Sequence, residues 1–279
     1  MTTTLTAPGK HAAVATAPIP EVSNHIPFKQ TVANSLTMAY RGILKIKHNP
    51  EQLFDVTVQP ILFTALFAYI FGGSIGGNVH DYLPILIPGI LVQTVVLTSV
   101  VTGTQLREDM DKGVFDRFKS LPIARISALA GALIADMVRY GLATVLTITM
   151  GLILGYRPAG GALAVLVAGL VVVFCSFAVS WIWALIGITG KSAPAVQGMS
   201  MMIMFPLTFM SGAFAPVSTM PGWLQGINKA NPIYYMVETA RELMNGNVYS
   251  SNLLYSIVGS LAVIAIFAPL AVRAYMRRA

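Results

Sequence analysis

From Leu53 to Ala274 the chain alternates long apolar runs with short polar joints. Six runs stand out: Leu53–Gly73, Leu83–Leu106, Ile134–Tyr156, Gly161–Ile188, Ala195–Pro216 and Leu253–Ala274. An apolar run of about 20 residues wound as helix matches the hydrocarbon thickness of a bilayer, whereas a barrel strand is about 10 residues long and alternates. These runs are long and do not alternate. The pattern predicts an all-α integral membrane protein with six transmembrane helices. No run copies another, so the inverted repeats of many secondary transporters are not suggested.

The flanks carry a different pattern. Residues 1–27 are rich in Thr, Ala and Pro without a sustained apolar run, which predicts a disordered cytoplasmic tail rather than a secretory signal. From Phe28 to Ile46, the positions Phe28, Val32, Leu36, Ala39, Ile43 and Ile46 recur every three or four residues, and Lys29, Arg41, Lys45 and Lys47 fall mostly off that face. This predicts an amphipathic helix lying at the membrane surface over 28–48. Pro50 then breaks the chain and turns it into the membrane, so that 49–279 form the transmembrane domain.

One polar joint is unlike the others. Arg107–Pro122, REDMDKGVFDRFKSLP, is a dense island of charge between two apolar runs. Its charges alternate with Val114, Phe115, Phe118 and Leu121, which predicts a short helix in water with one adhesive face. That is the chemistry by which a soluble partner grips a membrane subunit.

Composition sharpens the class. Only 10% of the 279 residues are charged and 55% are hydrophobic, against about 25% charged in soluble domains. The net charge of +7 is not spread as a nucleic-acid stripe; its basic residues cluster at the ends of apolar runs. One set of joints holds Lys10, Lys29, Arg41, Lys45, Lys47, Arg107, Lys112, Arg117, Lys119, Arg125, Lys191, Arg273, Arg277 and Arg278, and the other holds Arg157, Lys229 and Arg241. By the positive-inside rule both termini and the charged island are cytoplasmic, at the cell membrane. Cys175 is the only cysteine, so no intrachain disulfide forms, and His11, His25, His48 and His80 have no metal-ligand spacing.

Candidate chemistry is sparse. Gly187–Ser192, GITGKS, resembles the end of a phosphate-binding loop, but Leu185 stands where its first glycine is required and a membrane run precedes it. The chain is therefore expected to carry no ATPase. Glu108, Asp109 and Asp111 could hold Mg²⁺ and a diphosphate only with a second acidic cluster, which is missing. Asp136 and Arg139 lie one turn apart near the start of the third run; they are read as an intramembrane ion pair, with a cargo or proton site as the competing role. Gly151 and Gly155 form a small-xxx-small pair of the kind that permits close helix contact. No nucleophile with its base and no zinc-protease spacing is visible, so no catalytic, cofactor or metal residues are assigned.

Between the last two runs, FAPVSTMPGWLQGINKANPIYYMVETARELMNG carries Pro216, Pro221 and Pro232 with Trp223, Tyr234 and Tyr235. Trp and Tyr favour the membrane boundary, so this stretch predicts short broken helices in the outer leaflet.

Three segments in order, HNPEQLFDVTVQPILFTALFAYIFGG, REDMDKGVFDRFKSLPIAR and FMSGAFAPVSTMPGWLQGINKANPIYYMVETARELMNG, resemble the ABC-2 family of ABC-transporter permeases, and most closely its daunorubicin-resistance drug exporters. The resemblance covers nearly the whole chain after the tail. It implies that Arg107, Glu108, Gly113, Phe115, Arg117, Phe118, Leu121 and Pro122 form a coupling helix seated in a separate ATP-binding subunit. Glu108, Gly113 and Leu121-Pro122 match the family pattern, and Asp109 and Met110 depart from it. The Phe28–Lys47 helix then resembles the connecting helix. The stretch with Pro216, Pro221, Trp223, Pro232 and Tyr234 resembles an extracellular re-entrant hairpin.

The resemblance further implies two permeases, identical or sibling, with two ATPases that bind ATP and Mg²⁺. The cargo, with few charges in the spans, is expected to be amphipathic or hydrophobic: a drug, antibiotic or lipid. Membrane lipid surrounds the chain and nucleic acid is not a partner. The alternatives are a polysaccharide or glycoconjugate exporter of the same family, an ATP-independent secondary carrier, and a lipid-modifying enzyme.

Overall fold

The computed structural model describes residues 28–47, 50–114, 125–247 and 251–278. These residues are helical, with no strand among them. The helices are α1 Phe28–Lys47, α2 Pro50–Gly76, α3 Val79–Asp111, α4 Arg125–Ile153, α5 Gly161–Thr189, α6 Ala193–Met210, α7 Gly222–Asn228, α8 Pro232–Met244 and α9 Ser251–Arg278, with a 3₁₀ turn at Val217–Thr219. Five of them, α3, α4, α5, α6 and α9, are long and apolar enough to cross a membrane, and Thr57–Gly73 within α2 is a shorter apolar helix.

α3 is the axis of the bundle. It packs against α2, α4, α5, α6 and α8. Of its most apolar window 89% is buried, against 11% for α9, although both are strongly apolar. Hydrophobicity therefore does not decide what is inside. Within lipid an exposed leucine costs nothing, and the interior goes to small and polar residues that allow close approach or bond across helices. α3 meets that need with Thr94, Thr98, Ser99, Thr102 and Gly103, all buried. α9 turns Leu254, Val258, Leu261 and Ile266 outward.

Glycines set the closest crossings. A Cβ at Gly103 would strike the Trp183 carbonyl and one at Gly187 the Gly103 carbonyl, so α3 and α5 touch backbone to backbone. At the other end of α3 a Cβ on Gly89 would strike the Ala213 carbonyl just beyond α6.

Consecutive long helices run in opposite directions. The start of α3 meets the region after α6 through a hydrogen bond from the Tyr82 hydroxyl to the Phe214 carbonyl, 2.7 Å. At the far end Leu106 of α3, Leu129 of α4, Ile188 of α5 and Tyr275 of α9 share one buried cluster. α1 lies at that same far end, packed along the start of α4.

The predicted elements shift in informative ways. α1 covers the expected stretch, and α2 begins at Pro50, where a missing N–H costs nothing. The buried side of α1 is its small and polar one, with Ser35 and Ala39 buried, while Val32, Leu36 and Leu44 are exposed. A Cβ on Gly42 would lie 2.6 Å from Ala135 Cβ, and one on Gly131 would strike Met38. Of the predicted apolar stripe, Val32 and Leu36 face outward, as a helix at a lipid surface requires, whereas Ala39 is buried.

α4 starts at Arg125 rather than Ile134: Arg, Ala and Leu dominate RISALAGAL, and its one glycine, Gly131, lies where α4 packs against α1. The Gly151–Gly155 pair is not one contact face. Gly151 sits against Ile87, but α4 ends at Ile153, and Gly155 takes φ +99° in the turn that follows.

Candidate functional site

The site follows α3 from its charged end to the interior. Arg107 to Asp111 are not a separate helix, as the island's pattern predicted; they are the last turn and a half of α3. The helix outruns the apolar run because charges four residues apart support it. Arg107 pairs with Asp111, and Lys112 with Glu108 at 3.2 Å. Lys112 caps the helix and Gly113 turns the chain at φ +65°, a conformation that favours glycine.

Arg107 also donates from Nη1 to the Gly190 carbonyl at 3.0 Å. It therefore straps the end of α3 to the C-terminus of α5, where a cation offsets exposed carbonyls. In GITGKS, accordingly, Gly187 makes the helix crossing and Gly190 caps α5. Glu108 and Lys112 remain substantially exposed at this end. Phe115, Arg117, Phe118, Leu121 and Pro122 lie outside the described residues.

One turn inward, a buried polar cluster joins α3 to α4. Arg139 Nη1 contacts Asp136 Oδ1 at 2.9 Å, with both side chains less than a tenth exposed. The second carboxylate oxygen accepts the Thr102 hydroxyl at 2.6 Å, and Thr102 Oγ1 lies 3.0 Å from the Tyr140 hydroxyl. A threonine has one hydroxyl proton, so with that proton on Asp136 the tyrosine must be the donor to Thr102. Arg139 Nη1 also donates to Gln105 Oε1 at 3.2 Å, and Arg139 Nε is buried with no partner among the described residues. A cleft of about 60 Å³ between α1, α3 and α4 reaches this cluster, with Asp109, Gln105 and Gly42 on its walls.

The earlier start of α4 changes the depth of this pair. Asp136 lies 11 residues inside the helix, roughly 16 Å along its axis, rather than near its first turn. Asp136 and Arg139 stand out in the sequence as a pair, whereas Thr102, Gln105 and Tyr140 do not. A signal was present: Thr94, Thr98, Thr102 and Gln105 recur at spacings of 4, 4 and 3 and mark one polar stripe on an otherwise apolar helix.

At the opposite end, the proline-rich stretch forms two helices of different character. Pro216 and Pro221 precede the 3₁₀ turn and α7, and Trp223 on α7 is 69% exposed. Pro232 opens α8 after Asn231, whose side chain accepts from Ile233 N at 3.0 Å and donates to the Leu207 carbonyl at 2.7 Å. α8 is no surface helix. Ile233, Met236, Val237, Ala240 and Met244 enter the main core, and Thr239 meets Ser256 of α9 at 2.9 Å.

Arg241, predicted as a flanking charge, is largely buried. It pairs with Glu238 and donates from Nη2 to the Gly212 carbonyl at 2.8 Å and the Ile85 carbonyl at 3.3 Å. One arginine thus holds α8 to both α3 and the end of α6. Partial burial, helped by the nearby Glu238 carboxylate, holds the Tyr234 phenol above its usual pKa.

Residues 34–245 match the model of the ABC-2 type transporter family. The chain is 41% identical, over 88% of its length and 87% of the relative's, to the daunorubicin resistance ABC transporter permease protein DrrB1 of Streptomyces coeruleorubidus. It is 23% identical over 86% of its length and 88% of the relative's to the probable doxorubicin resistance ABC transporter permease protein DrrC of Mycobacterium tuberculosis strain H37Rv. The inner membrane transport permease YadH of Escherichia coli K12 is 24% identical over 66% of this chain and 73% of its own. The chain belongs to the ABC-2 type transporter family and is a multi-pass membrane protein.

Proposed function

We propose that this chain is the permease subunit of an ATP-driven exporter that moves an amphipathic or hydrophobic drug-like compound out of the cytoplasm. The observation that carries the reading is 41% identity, along most of both chains, to a permease named for daunorubicin resistance. A separate ATP-binding subunit binds and hydrolyses ATP with Mg²⁺. Two permeases, identical or sibling, assemble with two such subunits.

In this reading α2 supplies a sixth crossing, since its 27 residues reach about 40 Å as helix against about 30 Å of hydrocarbon. Helix alternation then gathers α1, Arg107, Lys191 and the end of α9 on one side. The concentration of Lys and Arg there assigns that side to the cytoplasm. The exposed end of α3 and the segment after Gly113 seat in the ATP-binding subunit. Movement of that subunit reaches the Asp136 cluster through α3 as a rigid rod, and α8 closes the outer end.

The test is co-purification with a candidate ATP-binding subunit. ATP hydrolysis should rise on adding a planar amphipathic drug, and inside-out vesicles should accumulate the drug only with ATP. Uptake indifferent to ATP would overturn the reading in favour of a secondary carrier. Impermeant thiol labelling on intact cells should reach a cysteine at Trp223 and spare one at Lys112.

A further inference from the structure

We propose that the groove between α4 and α5 binds one acyl chain of an anionic glycerophospholipid whose phosphate lies at Arg157. The groove has a volume of about 470 Å³. It exists because small residues face each other along two antiparallel helices: Gly141 on α4, and Ala162 and Gly169 on α5, all line it. Its floor is closed where Gly169 lies against Thr144, since a Cβ there would be 3.0 Å from Thr144 Cγ2. Val145, Leu166 and Leu170 form exposed apolar rims.

Length selects the occupant. From Gly141 to Leu152 the groove follows α4 for 11 residues, roughly 16 Å, which is about half of a 30 Å hydrocarbon core. It therefore spans one leaflet, from the middle of the span to the end where Tyr156, Pro158 and Met244 close it. A single lipid tail has that reach. A helix from another protein, about 10 Å across, is too wide to enter a cleft with a closed floor between packed helices.

Charge selects the headgroup. Arg157 stands between the groove-lining Tyr156 and Pro158 and is exposed. Its Nη1 is anchored by the Leu152 and Tyr156 carbonyls, each at 3.0 Å. Nε and Nη2 have no protein partner among the described residues, and no carboxylate pairs with this guanidinium there. A cation held in place at the mouth of a leaflet-deep apolar slot is complementary to a phosphate with its tail below.

Native mass spectrometry of the full chain, titrated with phosphatidylglycerol and with phosphatidylcholine, tests the site. The wild type should bind its first phosphatidylglycerol about tenfold more tightly than phosphatidylcholine. A Cβ at Gly141 meets nothing within 4 Å, so Gly141→Leu grows into the groove without moving backbone and should lose that tight lipid. Ala162→Phe, at the other end of the groove, should do the same. Arg157→Gln should keep the lipid and lose the headgroup preference. Equal affinity for both lipids in the wild type, or tight binding retained in both groove-filling variants, overturns the proposal. So does a disulfide-linked dimer through Leu166→Cys in a Cys175→Ser background, which would put a second copy over the groove.

Discussion

Gly187 of α5 rests directly on the carbonyl of Gly103 of α3, with no room for a side chain on either partner. Packing of this kind carries the α3–α5 crossing without any hydrophobic driving force, because lipid offers the same apolar surroundings as the protein. Gly187→Val should force the helices apart at a cost of about 3 kcal/mol, read as a lower melting temperature and less folded protein in detergent. Gly198→Ala, where a Cβ meets nothing within 4 Å, is the matched control and should be neutral or stabilising. Equal melting temperatures for both variants would mean that the α3–α5 crossing tolerates a side chain at Gly187.

The Asp136–Arg139 pair separates a structural role from a transport role. Removing either partner alone strands a buried charge, at about 3–5 kcal/mol, and should reduce folded yield sharply. The double variant Asp136→Asn with Arg139→Gln should recover most of that loss and still transport. A double variant that folds well and is dead for transport would assign the pair to cargo or proton handling instead. Thr102→Val, which removes the bond to the carboxylate, should cost about 1.5–3 kcal/mol.

At the charged end, Glu108→Ala and Phe115→Ala should leave the protein inserted and weaken its hold on the ATP-binding subunit in a pull-down. Gly113→Pro should do so more strongly, because proline cannot adopt the positive φ of that turn. Unchanged pull-down and transport in all three variants would place the grip elsewhere on the cytoplasmic face.

Arg107→Met removes the strap to Gly190 and the pair with Asp111 together. It should loosen the end of α3 against α5 by about 1–2 kcal/mol, mostly the charged bond to a carbonyl that then lacks a partner. The expected reading is faster hydrogen exchange confined to the last turns of α3 and α5. Protection lost across the whole bundle would mean that Arg107 supports the fold generally.

Arg241→Gln should release α8 from the Gly212 and Ile85 carbonyls, lowering stability by about 2–3 kcal/mol. Arg241→Lys should rescue little, since a point charge cannot reach Glu238 and two carbonyls with the same fork. Full rescue by lysine would reduce the role of Arg241 to its charge alone.

The sequence by itself determined the helices, and the reason is local. A run of apolar residues must satisfy its backbone within itself in a bilayer, so length and composition suffice to write α3, α5 and α9 as helices. Three quoted segments were likewise enough to point to the family. What sequence left open was rotation about each helix axis. α3 carries one polar stripe, Thr94, Thr98, Thr102 and Gln105, but nothing in that stripe says which neighbouring helix it meets.

Only the tertiary structure decided that Thr102 meets Asp136, residues 34 apart in sequence, and that Arg107 meets Gly190. It likewise decided that Arg241, which reads as a boundary charge, turns inward to hold three helices. Such contacts depend on where the glycines let backbones touch. That is a property of two surfaces together, and no single run of sequence contains it.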